Sequence, residues 1–248
     1  MCLVVALHRV ADDAPLLIVA NREEEYARGG ETLGWRHGRI PFLAGRDPQA
    51  GGTWFGVNAH GVTVAVTNRP KTLTSEPYRS RGLLVTDLLQ CSSAREAIDA
   101  ASRELSRHCY RGCNILCSDS DSLQVVHAGD WLRVRSLAPG IHVLTNADIN
   151  DPFDARIAFI MEQVQSQPIH QALAGVALLK RLGCLSTGPV PLCLLGSQSG
   201  TVASTILALS TQPRQSRLFH AHGSPAEYPY IDRTDLLWEL EGLTQGRP

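Results

Sequence analysis

Apolar residues in the N-terminal third recur in short runs that predict β-strands. CLVVALHRV and LLIVA are two such runs, and the polar ADDAP between them predicts a turn. GTWFGV and VTVAVT form a second pair of runs with the same strand-like character. The chain is therefore predicted to begin with antiparallel β-structure.

From Ser80 the period of the apolar residues changes to that of helices. SRGLLVTDLLQC and SAREAIDAASRELSRH predict two helices, with Ser80 and either Ser92 or Ser93 as N-caps. Strands and helices follow to the C-terminus. They are strands at NILCSD, LQVVHAG, WLRVRSL and IHVLTNAD, helices at DPFDARIAFIMEQV, HQALAGVALLKRLG and DRTDLLWELEGL, and a hairpin of TVASTILALS and SRLFHAH. Strands grouped apart from helices predict a layered α+β protein. No repeat or Ser/Gly linker divides the sequence, so we expect one domain over residues 1–248.

Composition and charge exclude several classes of function. Hydrophobic residues make up 44% of the chain, which is enough for a sizeable core. The 23 basic residues nearly balance the 24 acidic ones without a basic cluster, so we expect no nucleic-acid partner. No apolar stretch reaches membrane-spanning length, and the N-terminus lacks the features of a secretory signal. We therefore expect a cytoplasmic protein without a membrane span.

The seven cysteines are odd in number and include no CxxC pair, which favours reduced thiols over a disulfide framework. Cys109, Cys113 and Cys117 are spaced four residues apart in CYRGCNILC. This spacing fits neither the usual zinc sites nor the usual ferredoxin sites. We therefore expect core cysteines here, and no metal or other cofactor in the protein.

A cysteine directly behind the initiator methionine is the first candidate for chemistry. If Met1 is removed, the thiol of Cys2 and a free α-amine belong to one residue. Such an amine has an ordinary pKa of about 8, so it can take the proton from the thiol. The alternative is a half-buried cysteine in a strand.

Polar residues at the ends of predicted strands are further candidates. Asn21, Arg22 and Glu23 are expected directly after the second strand, where a carboxylate could hold the protonated amine. Asn68 and Asn146 each end a predicted strand, and a side-chain amide there can donate to a developing oxyanion. The alternatives are a solvated charged turn and asparagines that bond their own backbone. Together with the N-terminal thiol, these residues predict an acyl-transfer site.

The order of the motifs closely resembles that of the NRDE family, also called the transport-and-Golgi-organisation-2-like family, which is similar to the N-terminal nucleophile hydrolases. The matching segments run from position 1 to about 206. They are MC, NREE, AGRDPQAGGTWFGVNAHG, VTNRP, SRGLLVTDLL, PGIHVLTNAD with DPF behind it, and GTVAST. The resemblance implies a four-layer αββα sandwich of two antiparallel sheets.

A remoter similarity, to the choloylglycine-type amidases of the same fold group, implies roles for individual residues. Those enzymes use an N-terminal cysteine, an acidic residue after the second strand and two asparagines at strand ends. The matching positions here are Cys2, Glu23, Asn68 and Asn146. Glu23 replaces the aspartate of the NRDE motif, and Ala20 stands where the amidases have an arginine. The resemblance thus implies a site with fewer charged groups around the nucleophile.

The first functional hypothesis is an N-terminal cysteine nucleophile hydrolase that acts on a linear amide or related acyl bond. Arg22 or Arg46 could anchor a substrate carboxylate through two hydrogen bonds. Asn21 and Trp54 are further substrate-binding candidates.

The alternative hypothesis is a non-catalytic carrier of haem or lipid on the same scaffold, which the resemblance also implies. A haem carrier would use a cysteine or histidine as axial ligand, and the candidates are Cys2, His8 and His37. Under either hypothesis, the expected partner is a small molecule.

Overall fold

The computed structural model describes residues 2–72, 75 and 77–245. The strands are β1 Cys2–Ala11, β2 Ala14–Glu25, β3 Glu31–Arg36, β4 Phe42–Arg46, β5 Phe55–Asn58, β6 Thr63–Asn68, β7 Cys113–Ser118, β8 Leu123–Ala128, β9 Leu132–Leu137, β10 Gly140–Leu144, β11 Ser199–Leu209, β12 Arg217–Ala221 and β13 Ile231–Asp232. The helices are α1 Arg81–Leu88, α2 Ala94–Arg107, α3 Ala155–Gln165, α4 Ala172–Cys184 and α5 Thr234–Gln245.

The chain divides into two compact units. The first contains the residues up to Gly29 together with Pro139–Trp238, and the second contains Gly30–Ala138 together with the residues from Glu239 onward. The expectation of one domain over residues 1–248 stays a prediction, and each unit is described by itself.

The first unit contains a six-stranded antiparallel sheet in the order β10-β1-β2-β11-β12-β13. Its core lies between this sheet and helices α3 and α4, where Leu17 and Val19 of β2 join Ile160 and Leu179 in one buried cluster. β2 pairs along its length with β1 on one side and β11 on the other. Its apolar run is buried because it lies in the interior of the sheet.

β2 is longer than the sequence indicated. The turn before it contains only Asp12 and Asp13, whereas the sequence predicted a longer one. The segment from Asn21 to Glu25, which was expected to follow the strand, is part of β2. Pairing explains the difference. The ladder with β1 continues to Arg22, which lies opposite Cys2, and the ladder with β11 continues to Glu25, which lies opposite Ser199.

The second unit contains a seven-stranded antiparallel sheet in the order β3-β4-β5-β6-β7-β8-β9. Helices α1 and α2 pack on one of its faces through Leu84 and Ile98. Cys113 and Cys117 lie in this core, because residues four apart in β7 point to the same face. Burial raises the pKa of the Cys113 thiol to about 11. Both cysteines therefore act as small apolar residues, as predicted, whereas Cys109 lies before β7 and is only half-buried.

The predicted helix starts are close to the observed ones. Ser93 caps α2, since its hydroxyl accepts a hydrogen bond from the backbone N–H of Glu96 at 3.1 Å. The carboxylate of Glu96 in turn accepts from the backbone N–H of Ser92 at 2.7 Å, which completes a reciprocal cap. Ser80 precedes α1 in an extended conformation but makes no side-chain cap.

The predicted fold class, α+β with two antiparallel sheets, is confirmed. No helix within the described part of the chain is long and apolar enough to cross a membrane.

The glycine pair before Trp54 generates a prediction about stability. A Cβ atom on Gly52 would lie 2.1 Å from the carbonyl carbon of Gly82, whereas a Cβ on Gly34 would meet nothing within 4 Å. We expect Gly52→Ala to lower the free energy of unfolding by about 2–3 kcal/mol, because backbone cannot yield as a side chain can. Gly34→Ala should change it by less than about 1 kcal/mol. Urea unfolding of both variants checks this, and equal stabilities would contradict it.

Candidate active site

Cys2 begins β1 and lies at one end of the sheet of the first unit. Its register partner in β2 is Arg22, and its half-buried thiol accepts a hydrogen bond from the backbone N–H of Glu23. Burial raises the pKa of the Cys2 thiol above its usual value, while this N–H and the Arg22 guanidinium lower it. The thiol therefore needs a local base to become a nucleophile.

The guanidinium of Arg22 is held by residues of its own strand and of the turn that follows it. One guanidinium nitrogen donates to the carbonyl of Gly29 at 2.7 Å, and another lies 3.7 Å from the carboxylate of Glu24. The side chain is 5% exposed, so its position is fixed by the fold.

Glu23 forms a buried ion pair with Arg156, near the start of α3. The two Nη atoms of Arg156 lie 2.5 Å and 3.4 Å from the two carboxylate oxygens, and the Glu23 side chain is only 3% exposed. Burial raises the pKa of the Glu23 carboxyl, and the guanidinium acts against that rise. The carboxylate next to Cys2 in the ladder thus has a bidentate cationic partner.

Asn146 lies at the same end of the sheet as Cys2. Val4 and Leu144 form the last pair of the antiparallel β1–β10 ladder, and Cys2 and Asn146 are each two residues beyond it in sequence. The Oδ1 atom of Asn146 is buried and has no hydrogen-bond partner among the residues that the structure describes. An amide with a free acceptor is thus available on the β10 side of the nucleophile.

The side-chain amide of Asn21 is hydrogen-bonded to other parts of the first unit. Its Nδ2 group donates to the carbonyls of Gly183 and Leu192 at 3.1 and 3.2 Å, and its Oδ1 accepts from the hydroxyl of Ser204 at 2.6 Å. These bonds join β2 to the end of α4 and to β11. The predicted substrate-binding role of Asn21 is not tested, but its polar atoms already hold the scaffold together.

Three other predicted residues lie in the second unit. Asn68 is the last residue of β6 and pairs with Cys113. Arg46 ends β4 and donates to the carboxylate of Glu31 at 3.1 Å, in an exposed pair that contributes about 0–1 kcal/mol. Trp54 is half-buried against the core of that unit. The roles proposed for all three stay predictions.

The candidate haem ligands are dispersed along the chain. His8 is buried within β1, whereas His37 is exposed in the second unit. Within the described residues, no group of three or more His, Cys, Asp or Glu side chains could hold a metal ion.

Sequence reasoning missed Arg156. A signal was present, because the first turn of a helix normally favours acidic residues, and Arg156 places a cation there. A cation at that position is expected mainly where a carboxylate faces it. The carboxylate that faces Arg156 belongs to Glu23, which is 133 residues away in sequence. Only the folded chain identifies the pair.

A family model described as transport and Golgi organisation 2 matches residues 1–170. The chain belongs to this family. The match contains Cys2, Glu23, Asn68, Asn146 and Arg156, and it ends before the predicted GTVAST segment.

Curated relatives agree with this assignment. A transport and Golgi organization 2 homolog from Mus musculus is 29% identical over 147 residues, covering 56% of this chain and 52% of the relative. The Homo sapiens homolog is 27% identical over 150 residues, with the same coverage of each chain. This chain therefore spans about half the length of the curated relatives it matches.

Solved structures with the same fold are described as an amidase, a hydrolase and an acylase. A Caenorhabditis elegans ortholog of N-acylethanolamine-hydrolyzing acid amidase is 17% identical, with a TM-score of 0.55 over 83% of this chain and 92% of its own. A C2A mutant of conjugated bile acid hydrolase from Clostridium perfringens is 15% identical, with a TM-score of 0.57 over 95% and 93%. Penicillin V acylase from Agrobacterium tumefaciens is 14% identical, with a TM-score of 0.54 over 96% and 88%. At these identities the likeness shows the fold, and the predicted N-terminal nucleophile hydrolase-like fold is confirmed.

The bonding of Asn21 predicts that its loss destabilises the protein. We expect Asn21→Ala to lower the free energy of unfolding by about 3 kcal/mol, because buried carbonyls at Gly183 and Leu192 lose their donor. Ser204→Ala should cost less, since it removes one bond to Asn21 and one to Tyr230. Urea unfolding of the two single variants and the double variant measures the coupling. Unchanged stability in Asn21→Ala would favour the substrate-binding role instead.

Proposed function

We propose that this protein is an N-terminal cysteine nucleophile hydrolase that cleaves a linear amide or related acyl bond. The observation that carries the proposal is the position of Cys2. It begins a strand, and its thiol accepts a hydrogen bond from the backbone N–H of Glu23. It shares its end of the sheet with Asn146, whose Oδ1 atom has no hydrogen-bond partner among the described residues. The solved structures that share the fold, which are described as an acid amidase ortholog, a conjugated bile acid hydrolase and a penicillin V acylase, support the reaction class.

Removal of Met1 would complete the nucleophile. The new α-amine of Cys2 takes the thiol proton, and the thiolate then attacks the carbonyl carbon of the substrate. The Oδ1 of Asn146 is a suitable acceptor for the protonated amine, because it is buried and lacks another partner among the described residues. Its Nδ2 group is then left to donate to the oxyanion.

The reaction proceeds through a thioester. Attack by sulfur forms the C–S bond, and collapse of the tetrahedral intermediate breaks the C–N bond. The α-ammonium returns its proton to the leaving amine. A water molecule, deprotonated by the same amine, then cleaves the thioester, releases a carboxylic acid and restores the thiol. No oxidant, reductant or metal is needed to balance these steps.

The carrier hypothesis remains the alternative. It needs neither a free amine nor a reactive thiol, so the state of the N-terminus distinguishes the two functions. A carrier should bind its ligand equally well with Met1 retained or removed.

Intact mass and hydrolysis together test the proposal. We expect the purified, untagged protein to lack the mass of one methionine and to hydrolyse members of a panel of N-acyl amino acids and other linear amides. Cys2→Ala should abolish turnover because the nucleophile is gone, with the melting temperature retained. Cys184→Ala is the control, since it removes another half-buried thiol outside the site.

Retention of Met1, or turnover that survives Cys2→Ala, would show that this thiol is not the nucleophile. Haem or lipid titration, followed by absorbance and thermal shift, would then be the informative measurement.

A further inference from the structure

A continuous chain of hydrogen bonds links the turn that carries Asn146 to the first turn of α3. The hydroxyl of Thr145 accepts from the backbone N–H of Ala147 at 3.2 Å and donates to the carboxylate of Asp154 at 2.6 Å. The other oxygen of Asp154 caps α3, accepting from the N–H of Arg156 at 2.8 Å. The residues on both sides of Asn146 are thereby tied to the helix start.

The same helix start is tied to the carboxylate next to Cys2. The Arg156 guanidinium binds both oxygens of Glu23, and one of its nitrogens also donates to the carbonyl of Leu192 at 3.3 Å. A bidentate pair fixes orientation as well as distance. A displacement of α3 would therefore move Glu23 and the Asn146 turn together.

We propose that Asp154 and Arg156 are positioning residues, which hold the Asn146 amide and the Glu23 backbone and carboxylate in one geometry around Cys2. We call the four residues Thr145, Asp154, Arg156 and Glu23 the α3 brace. The inference deepens the proposed hydrolase function and rests on it for the reaction, while its effect on the Cys2 thiol can be measured without turnover.

Stability alone is a weak reason for this arrangement. A buried ion pair is often no more stabilising than apolar residues of the same volume, because both charges must leave water. The pair lies at the Cys2 end of β2, where the N–H of Glu23 donates to the thiol. The other charges near Cys2 and Glu23 in this unit are Arg22, from the same strand, Glu24, which faces Arg22, and the N-terminal amine, which lowers the pKa of both groups. Loss of Arg156 would remove the bidentate cationic partner of Glu23 close to the nucleophile.

Steady-state kinetics test the role of the brace in turnover. We expect Arg156→Gln to lower kcat by about 100-fold with a small change in KM, since small misplacements of catalytic groups have effects of this size. Arg156→Lys should recover part of the loss, because it keeps the cation without the bidentate geometry. Arg181→Gln is the control, since Arg181 lies outside the site and donates an exposed hydrogen bond to Gln167 at 3.0 Å.

The second arm of the brace has its own pair of variants. Thr145→Val removes the hydroxyl that binds Asp154 while keeping the shape of the side chain, so kcat should fall. Thr145→Ser retains the hydroxyl and should retain most of the activity. Equal effects of the two substitutions would argue against a role for this hydrogen bond.

The pH dependence of Cys2 alkylation provides a readout that does not require turnover. Iodoacetamide labelling of the N-terminal peptide, followed by mass spectrometry, gives the midpoint at which the thiol ionises. In the alkaline range Glu23 is charged, so Arg156→Gln should move the midpoint to higher pH and Glu23→Gln should move it to lower pH. The double variant should return close to the wild-type midpoint, because the two charges are removed together. Arg181→Gln should leave it unchanged.

The outcomes separate this inference from the proposed function. If Arg156→Gln keeps both kcat and the alkylation midpoint while the melting temperature falls, Arg156 is a structural ion pair and the inference is wrong. If the wild-type protein hydrolyses no amide but the midpoints shift as expected, the hydrolase proposal fails and the positioning of the Cys2 thiol stands. If Arg156→Gln does not fold, Arg156→Lys must still show the partial kinetic loss, and a fully active Arg156→Lys would overturn the inference.

Discussion

The buried carboxylate of Glu23 is the constraint on which the Cys2 end of the first unit depends. An ionised carboxylate that is 3% exposed requires a compensating cation, because removal of an isolated charge from water costs several kcal/mol or more. Arg156 provides that cation from a helix 133 residues later in the chain. The need to neutralise one side chain of β2 thereby fixes where α3 begins, and with it the turn that presents Asn146.

The central strand β2 carries this constraint because it has partners on both sides. It pairs with β1, which brings Cys2 opposite Arg22, and with β11, which brings Thr201 opposite Glu23. Polar residues that would be solvated in a turn are buried here, and each must find a partner within the protein. Asn21, Arg22 and Glu23 bind three different parts of the first unit, so one short polar segment organises most of that end of the sheet.

The family assignment and the fold do not identify a substrate. The solved structures that share the fold are described as an N-acylethanolamine-hydrolyzing acid amidase ortholog, a conjugated bile acid hydrolase and a penicillin V acylase, and a shared fold does not assign one substrate. The resemblance to the amidases implies that this protein differs from them in the charged groups around the nucleophile. Ala20 stands where the amidases were expected to have an arginine, and Arg156 supplies a guanidinium from another element.

Local sequence determined much of this protein. The alternating apolar runs predicted β1, the hairpin strands and the α+β class correctly, because these signals depend on neighbours within a few residues. They also predicted the start of α2 at Ser92 or Ser93, and Ser93 is the residue that caps it. The motif order also identified the family. The tertiary structure decided the rest. It placed Asn21 to Glu25 inside a strand and paired Glu23 with Arg156, because register and ion pairing depend on segments that meet only when the chain folds.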